Sequence, residues 1–528
     1  YIDSLETIVK SGKISSITLT GTSNLLSIKS SQYTSDGDLL SLIASPYTLA
    51  LSAVTIAQIQ NNLLSDTHIV SIDIADTSVN IAANIDMLQA LGNKVTTISQ
   101  LGTLSAMAIS ASQFTADAAT IAKITGTYTL SVSGVLAVNV SNVLTNTHVT
   151  SITVSDSAAN ITTNLSKLIS NLAKITSIAE TGTITAITLT ASQYSAALTA
   201  KFINFNATVS DVSTVNFATV LADSKVATIT ISDSAANLAA NFDRLNAIGS
   251  KLTSIQQNDA APIAITYSQF TADTSALSKL TGTYSLGIKN VLVANASALT
   301  SNSHVVNISL FDTSANVVNS LDALQAIYKT GKLGSITLGD SPTTPFTLTA
   351  KQLAADSDVI QKLQGILFNV NDTSANIAAS LDALQVNVAK IASITQVGTI
   401  ATMSLSASKV GNDLSALNKI TNPYTIAVSD TSANIATYLD ALQNQISHIA
   451  SITQSVKVGT LNITGAQYLN DQGALATLAK SGAYTLTVSK IGTSGLVSVN
   501  TDTHVTSFTI SDSAANLAAN FDRLNAIG

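Results

Sequence analysis

The chain has 528 residues, of which 46% are hydrophobic, 4% aromatic and only 10% charged, where an ordinary soluble domain carries roughly 25% charged residues. Lys and Arg number 24 against 31 Asp and Glu, a net charge of −7 with no basic cluster, which excludes a nucleic-acid face and a polybasic membrane patch. Cysteine is absent, so disulfides, thiolate catalysis and zinc–thiolate sites are excluded together.

Glu occurs only at Glu6 and Glu180, and Arg only at Arg244 and Arg523. Exposed helices usually carry Glu and Lys in i,i+4 pairs; their absence predicts helices flanked by other helices, with Asp kept for capping. No apolar run reaches the roughly 18 residues of a membrane span.

Taken in order, Tyr1-Ile2-Asp3-Ser4-Leu5 matches Tyr438-Leu439-Asp440-Ala441-Leu442, and Ser16-Ile17-Thr18-Leu19 matches Ser335-Ile336-Thr337-Leu338. The chain is therefore expected to begin inside a helix of a repeat. A first full unit runs from Asp76 to Asp156. Capped by Asp-Thr-Ser-Val-Asn, its helix is followed by a strand-like Lys94-Val95-Thr96-Thr97-Ile98. Past Gly102 comes the alternating run Leu104 to Ser110, and whether these two form a hairpin or parallel turns the residues leave open. A second helix is predicted from Ser112-Gln113-Phe114 to Ile124, a strand from Gly126-Thr127-Tyr128-Thr129-Leu130, and a third helix over Val135 to Leu144. His148-Val149-Thr150-Ser151-Ile152 then leads to the next cap.

The cap recurs at Asp76, Asp156, Asp233, Asp312, Asp372, Asp430 and Asp512, and is clearest at Asp233-Ser234-Ala235-Ala236-Asn237. Asp or the following Ser/Thr is expected to satisfy the first-turn amides, and the negative charge suits the helix dipole. Leu238, Phe242, Leu245 and Ile248 form one apolar stripe, which Gly249 closes. Before the cap, Thr228 to Ser232 alternates as a β-branched strand. The period is about 80 (156 minus 76), but the units from Asp312 and Asp372 are 60 and 58 residues long (372 minus 312, 430 minus 372). In these, Phe368-Asn369-Val370 and Tyr424 to Val428 run straight into the cap, so the third helix and a strand have been dropped as a block. A repeat array tolerates such a loss because each coil contacts only its neighbours. Thr509 to Gly528 repeats Thr230 to Gly249 without a change, and both ends are expected to be cut within the array.

Strands joined through helices imply right-handed crossovers and parallel sheet. Strands stack about 4.8 Å apart and helices about 8 to 10 Å, so the two layers differ in length. The expected fold is one continuous array over 1–528, a curved or superhelical α/β solenoid with parallel sheet on one face and helices on the other.

His68, His148, His304, His448 and His504 each precede a strand; they lie coils apart and are read as turn residues bonded to backbone rather than as metal ligands. Asn80, Asn160, Asn237, Asn316, Asn376, Asn434 and Asn516 sit just inside the helix and are read as satisfying loop backbone groups, although a saccharide contact is the functional alternative. Asp36-Gly37-Asp38 lacks the ligand set of a calcium loop. Threonine-rich strands such as Ile187-Thr188-Leu189-Thr190 suggest an ice-ordering array, but Thr is simply a favoured strand residue. No phosphate loop, His-Glu-x-x-His helix or nucleophile elbow occurs. No cofactor is expected.

The unit Asp-Thr-Ser-Ala-Asn-Ile-Ala-Ala-Ser-Leu-Asp-Ala-Leu-Gln (372–385) resembles repeats of very large secreted bacterial surface proteins, adhesin-like or associated with hemolysin-type repeats. The resemblance implies an extracellular, cell-surface or matrix role. The Gly-Gly-x-Gly-x-Asp nonapeptide is missing, so calcium is carried over to no residue. Two function classes follow. One is a non-enzymatic structural array such as a filament, sheath, surface layer or adhesin stalk, whose partner is itself; the other is a recognition solenoid that binds a glycan or protein on its concave sheet. With no Trp and few aromatics, the structural class leads.

Overall fold

The computed structural model describes residues 2–456 and 458–527; Tyr1 and Gly528, on which the expectations for the chain ends rest, lie outside them. The chain divides into two compact units, Tyr1–Asp259 with Ser275–Thr283 and Ala260–Thr274 with Tyr284–Gly528. Both are α/β, and every strand pairing among the described residues is parallel.

In the first unit the strands Leu25–Lys29, Thr48–Val54, Ile69–Asp76 and Val95–Gln100 form one sheet, and Met107–Ser110, Leu130–Val135, Val149–Asp156 and Ile175–Glu180 a second. A third holds Ile187–Thr190, Ala207–Val212, Val226–Asp233, Leu252–Gln257 and Leu280–Thr281. The second unit opens with a four-stranded sheet of Ile263–Thr266, Leu286–Val291, Val305–Asp312 and Leu333–Leu338. In all of them, spatial order follows chain order.

The shortened repeats have three-stranded sheets, Phe346–Leu348, Phe368–Asp372, Ile391–Gln396 and Met403–Leu405, Ile426–Asp430, Ile449–Gln454. The full repeat between Asp76 and Asp156 has a strand, a 3-10 turn at Ala137–Asn139 and a helix at Val140–Val143 that have no counterpart there. One rung is missing as a block.

Alternation makes the core. Along Val226–Asp233, Val226, Ile229, Ile231 and Asp233 are buried and the residues between them half-exposed. Leu238, Phe242 and Leu245 of the expected stripe are fully buried and Ile248 half-buried. The single helix expected after Asp233 is instead two, Ala235–Ala240 and Phe242–Asn246, parted at Asn241 with φ −114° and ψ 13°. Asn241 donates its side-chain amide to the carbonyl of Asn237, a bond that competes with regular helix. The same break occurs at Ser380 and Tyr438, so the amide reinforces the bend without being its only cause. The second helix divides likewise at Asp117, into Ala111–Ala116 and Ala118–Ile121. Helices this short have little stability alone and are held by packing.

Val95–Gln100 and Met107–Ser110 do not pair with each other. Each meets the following turn in parallel, the first through the bridge Ile98↔Ile124 and the second along Leu130–Val135. No helix of the described residues is long and apolar enough to cross a membrane.

Candidate functional site

The residues that converge most regularly are those of the Asp-Ser/Thr-x-x-Asn corner. Inward alternation carries past the last apolar strand residue onto Asp, so Asp76, Asp156, Asp233, Asp312, Asp372 and Asp430 are buried at strand ends. The following residue, Thr77, Ser157, Ser234, Thr313, Thr373, Thr431 or Ser513, has extended backbone and accepts the N–H of the Asn three positions on. That residue is the N-cap. The seven aspartates expected as caps therefore stand one position before it, because the strand backbone has not yet turned when it reaches them.

Each of these aspartates bridges two turns of the chain. One oxygen, Oδ1, accepts the next residue's N–H and the Asn side-chain amide, at 2.7–2.8 Å in all seven corners. The other, Oδ2, accepts a backbone N–H from the start of the preceding turn's helix or 3-10 segment, or at Thr214 from the turn that precedes the helix. The donors are Ile56 to Asp76, Ala137 to Asp156, Thr214 to Asp233, Val293 to Asp312 and Thr493 to Asp512, at 2.8–2.9 Å. In the shortened units Lys351 and Ser408 donate to Asp372 and Asp430 at 3.4 Å.

Burial alone would raise the carboxyls of Asp76, Asp233 and Asp312, but the donated hydrogen bonds outweigh it and hold all three below the usual carboxylate range. At Asp512 the hydroxyl of Thr493 and the amide of Asn516 lower the carboxyl most. Both oxygens of each corner carboxylate are thus engaged by donors from the chain itself. The seven asparagines do not bond to loop backbone as expected: each donates its amide to the corner Asp.

The five histidines share a feature that sequence reasoning missed. Each imidazole lies flat on a tyrosine ring: Tyr47–His68, Tyr128–His148, Tyr284–His304, Tyr424–His448 and Tyr484–His504, with centroids 3.8–4.4 Å apart and planes within 12°. At His148, His304 and His448, Nδ1 meets the stacked tyrosine's carbonyl oxygen, which fits the expected backbone partner. At His68 and His504, Nδ1 instead meets the carboxylate of Asp66 or Asp502 at 2.7–2.8 Å. Burial raises the Tyr424 and Tyr484 hydroxyls to about 12. The signal in the sequence is a Tyr followed by Thr or Ser, 20 to 24 residues before each His (for example 148 minus 128, 448 minus 424).

Asp36 is buried between two short helices and accepts from Ser35, whereas Asp38 is exposed. Among the described residues no three His, Asp or Glu side chains come together as metal ligands. Outward strand positions carry small hydroxyls that bond across rungs, such as Ser131 with Ser151 at 3.0 Å and Thr208 with Thr228 at 2.9 Å. A shallow hollow of about 360 Å³ on the first sheet is lined by Ser27, Lys29, Gln32, Ser52, Asp73 and Thr96. No protein-family model matches this sequence, and no curated protein matches it.

Proposed function

We propose that the chain is a stretch of curved α/β solenoid, and that it serves as a non-enzymatic, extracellular structural repeat that associates with further copies of itself in a filament, sheath, surface layer or stalk. The observation that carries this reading is the corner Asp. In all seven repeats its second oxygen accepts an N–H from the preceding turn, so each repeat is completed by its neighbour. Two further features support it. The polar groups of the corner are absorbed by hydrogen bonds within and between rungs, and low charge permits close lateral packing. The resemblance of 372–385 to secreted bacterial repeats supports the extracellular placement.

Electron microscopy of the natural material, joined with sedimentation of the purified chain, tests this. Extended or laterally packed assemblies are expected. Particles that stay monomeric at every concentration would overturn it and favour the second reading, recognition of a glycan on the exposed sheet. The hollow lined by Ser27, Lys29, Gln32 and Asp73 supports that alternative, and a glycan array tests it directly.

A further inference from the structure

The helix layer contains a second recurring contact, which the corner does not involve. After four of the seven corners, the first turn of the helix past the break carries an Asp with Gln three residues on: Asp86 and Gln89, Asp322 and Gln325, Asp382 and Gln385, Asp440 and Gln443. The helix of the next turn breaks at a buried Asp: Asp117, Asp356, Asp413 and Asp471, each 2–4% exposed. Three residues past that break, the N–H of Thr120, Val359, Ala416 or Ala474 donates to the Gln carbonyl oxygen at 2.8–3.2 Å. One turn along from that bond, the two aspartates face each other within hydrogen-bonding reach: Asp86 with Asp117, Asp322 with Asp356, Asp382 with Asp413 and Asp440 with Asp471. The Gln bond fixes the register, so the carboxyls cannot slide apart.

The Oδ2 of each buried Asp meets no N–H or O–H donor. Two carboxylates at this distance repel unless a proton lies between them, and a buried oxygen without a donor is itself costly. A proton on the buried carboxyl satisfies both demands. We propose that each of these four pairs shares one proton, so that neighbouring helices are latched in mild acid and loosened where the proton leaves.

Charged and polar groups around the pairs are few. Gln113 donates to Asp86 at 3.0 Å, Lys329 faces Asp356, and Lys409 lies 3.2 Å from Asp382. Burial first, and the facing carboxylate second, push Asp117, Asp356 and Asp413 up to about 6 and Asp471 up to about 7. A folded-state value above the unfolded one gives stability that is complete below the unfolded value and is lost as pH rises through the folded one. The loss therefore falls between about pH 4 and pH 7. In the repeat that begins at Asp156, the position of Asp86 is Ser166, and the matching second helix is two residues shorter, without an Asp at its break. The pair is lost from both sides at once.

The test is thermal melting of the whole chain near pH 5 and near pH 8. The melting temperature should fall by several degrees at the higher pH. Asn mimics a protonated carboxyl, so the combination Asp117→Asn, Asp356→Asn, Asp413→Asn and Asp471→Asn should remove that fall. Asp86→Asn with its three counterparts Asp322→Asn, Asp382→Asn and Asp440→Asn should do the same from the other side. Infrared titration of the unsubstituted chain needs no variant, and should show protonated carboxyl still present near pH 6. Equal melting at both pH values, a slope kept by both Asn sets, or carboxyls fully ionised by about pH 5 would overturn the proposal. So would a rise in melting temperature on adding calcium near pH 8 that the Asn sets abolish, since that assigns the pairs to a cation.

Discussion

At the scale of single residues, Asp233 and Ser234 separate two effects that sequence alone merges. Ser234 satisfies one first-turn amide, so Ser234→Ala should cost about 1 kcal/mol. Asp233 receives the N–H of Ser234, the amide of Asn237, and both the N–H and hydroxyl of Thr214. Asp233→Ala strands buried donors on two turns and should cost about 3 kcal/mol. Urea unfolding of the two variants checks the ranking; equal losses would mean that Asp233 does no more than cap. The pH dependence has a definite sign. The carboxyls of Asp76, Asp233 and Asp312 are held low in the fold, so their contribution is present above the unfolded value near 4 and is lost as pH falls through the folded values. Melting temperature should thus decline below about pH 4, the opposite slope to that of the shared-proton pairs, and be highest in mild acid. The Asp was legible as a recurring residue, and even its burial could be read from Ile229, Ile231 and Asp233 in alternation. Its bond to Thr214 could not, because nothing in the sequence says which N–H of the previous turn lies opposite.

Elements show where local signals run out. Where a second rung pairs with the strand that ends in Asp, the register shifts and one residue is left-handed: Ala53, Gly134, Asp211, Asn290 or Lys490, with φ between 54° and 71°. The N–H of Gly134, Asp211 and Lys490 then donates to the hydroxyl of Thr153, Thr230 and Thr509 at 2.9–3.0 Å. This bulge was invisible in the sequence because five different residue types occupy the position. Glycine adopts such a φ without strain, Asn and Asp at little cost, and Ala or Lys only with strain. Ala53→Gly should therefore stabilise the fold by about 1 kcal/mol, and Gly134→Ala, whose added methyl meets nothing within 4 Å, should destabilise it by a similar amount. Denaturant midpoints decide this, and a loss of stability in Ala53→Gly would show that the bulge residue is not strained. The strands and the helix stripe were legible because periods of 2 and 3.6 survive in Val226–Asp233 and in Leu238, Phe242 and Leu245. Breaks at Asn241 and Asp117 were not, since neither Gly nor Pro marks them.

For the molecule as a whole, the informative contrast is between the repeat of 80 residues from Asp76 (156 minus 76) and that of 58 from Asp372 (430 minus 372). Their difference of 22 residues (80 minus 58) should be removable at the residue level. Deleting 130–151 joins Tyr128-Thr129 to Ile152-Thr153-Val154-Ser155-Asp156, which reads like Tyr424-Thr425-Ile426-Ala427-Val428-Ser429-Asp430. Met107–Ser110, which now pairs with Leu130–Val135, would pair with the joined strand as Met403–Leu405 pairs with Ile426–Asp430. Asp156 would lose the N–H of Ala137 and take that of Ser112, as Asp430 takes that of Ser408. Nearest-neighbour stability predicts that this chain melts cooperatively, close to the full-length one. Deleting only 130–140 removes half a rung. It leaves Val149–Asp156 without its register partner and should abolish protection of the neighbouring strands against hydrogen exchange. If both deletions unfold the first unit alike, the repeats are not separable rungs, and the array reading fails with them.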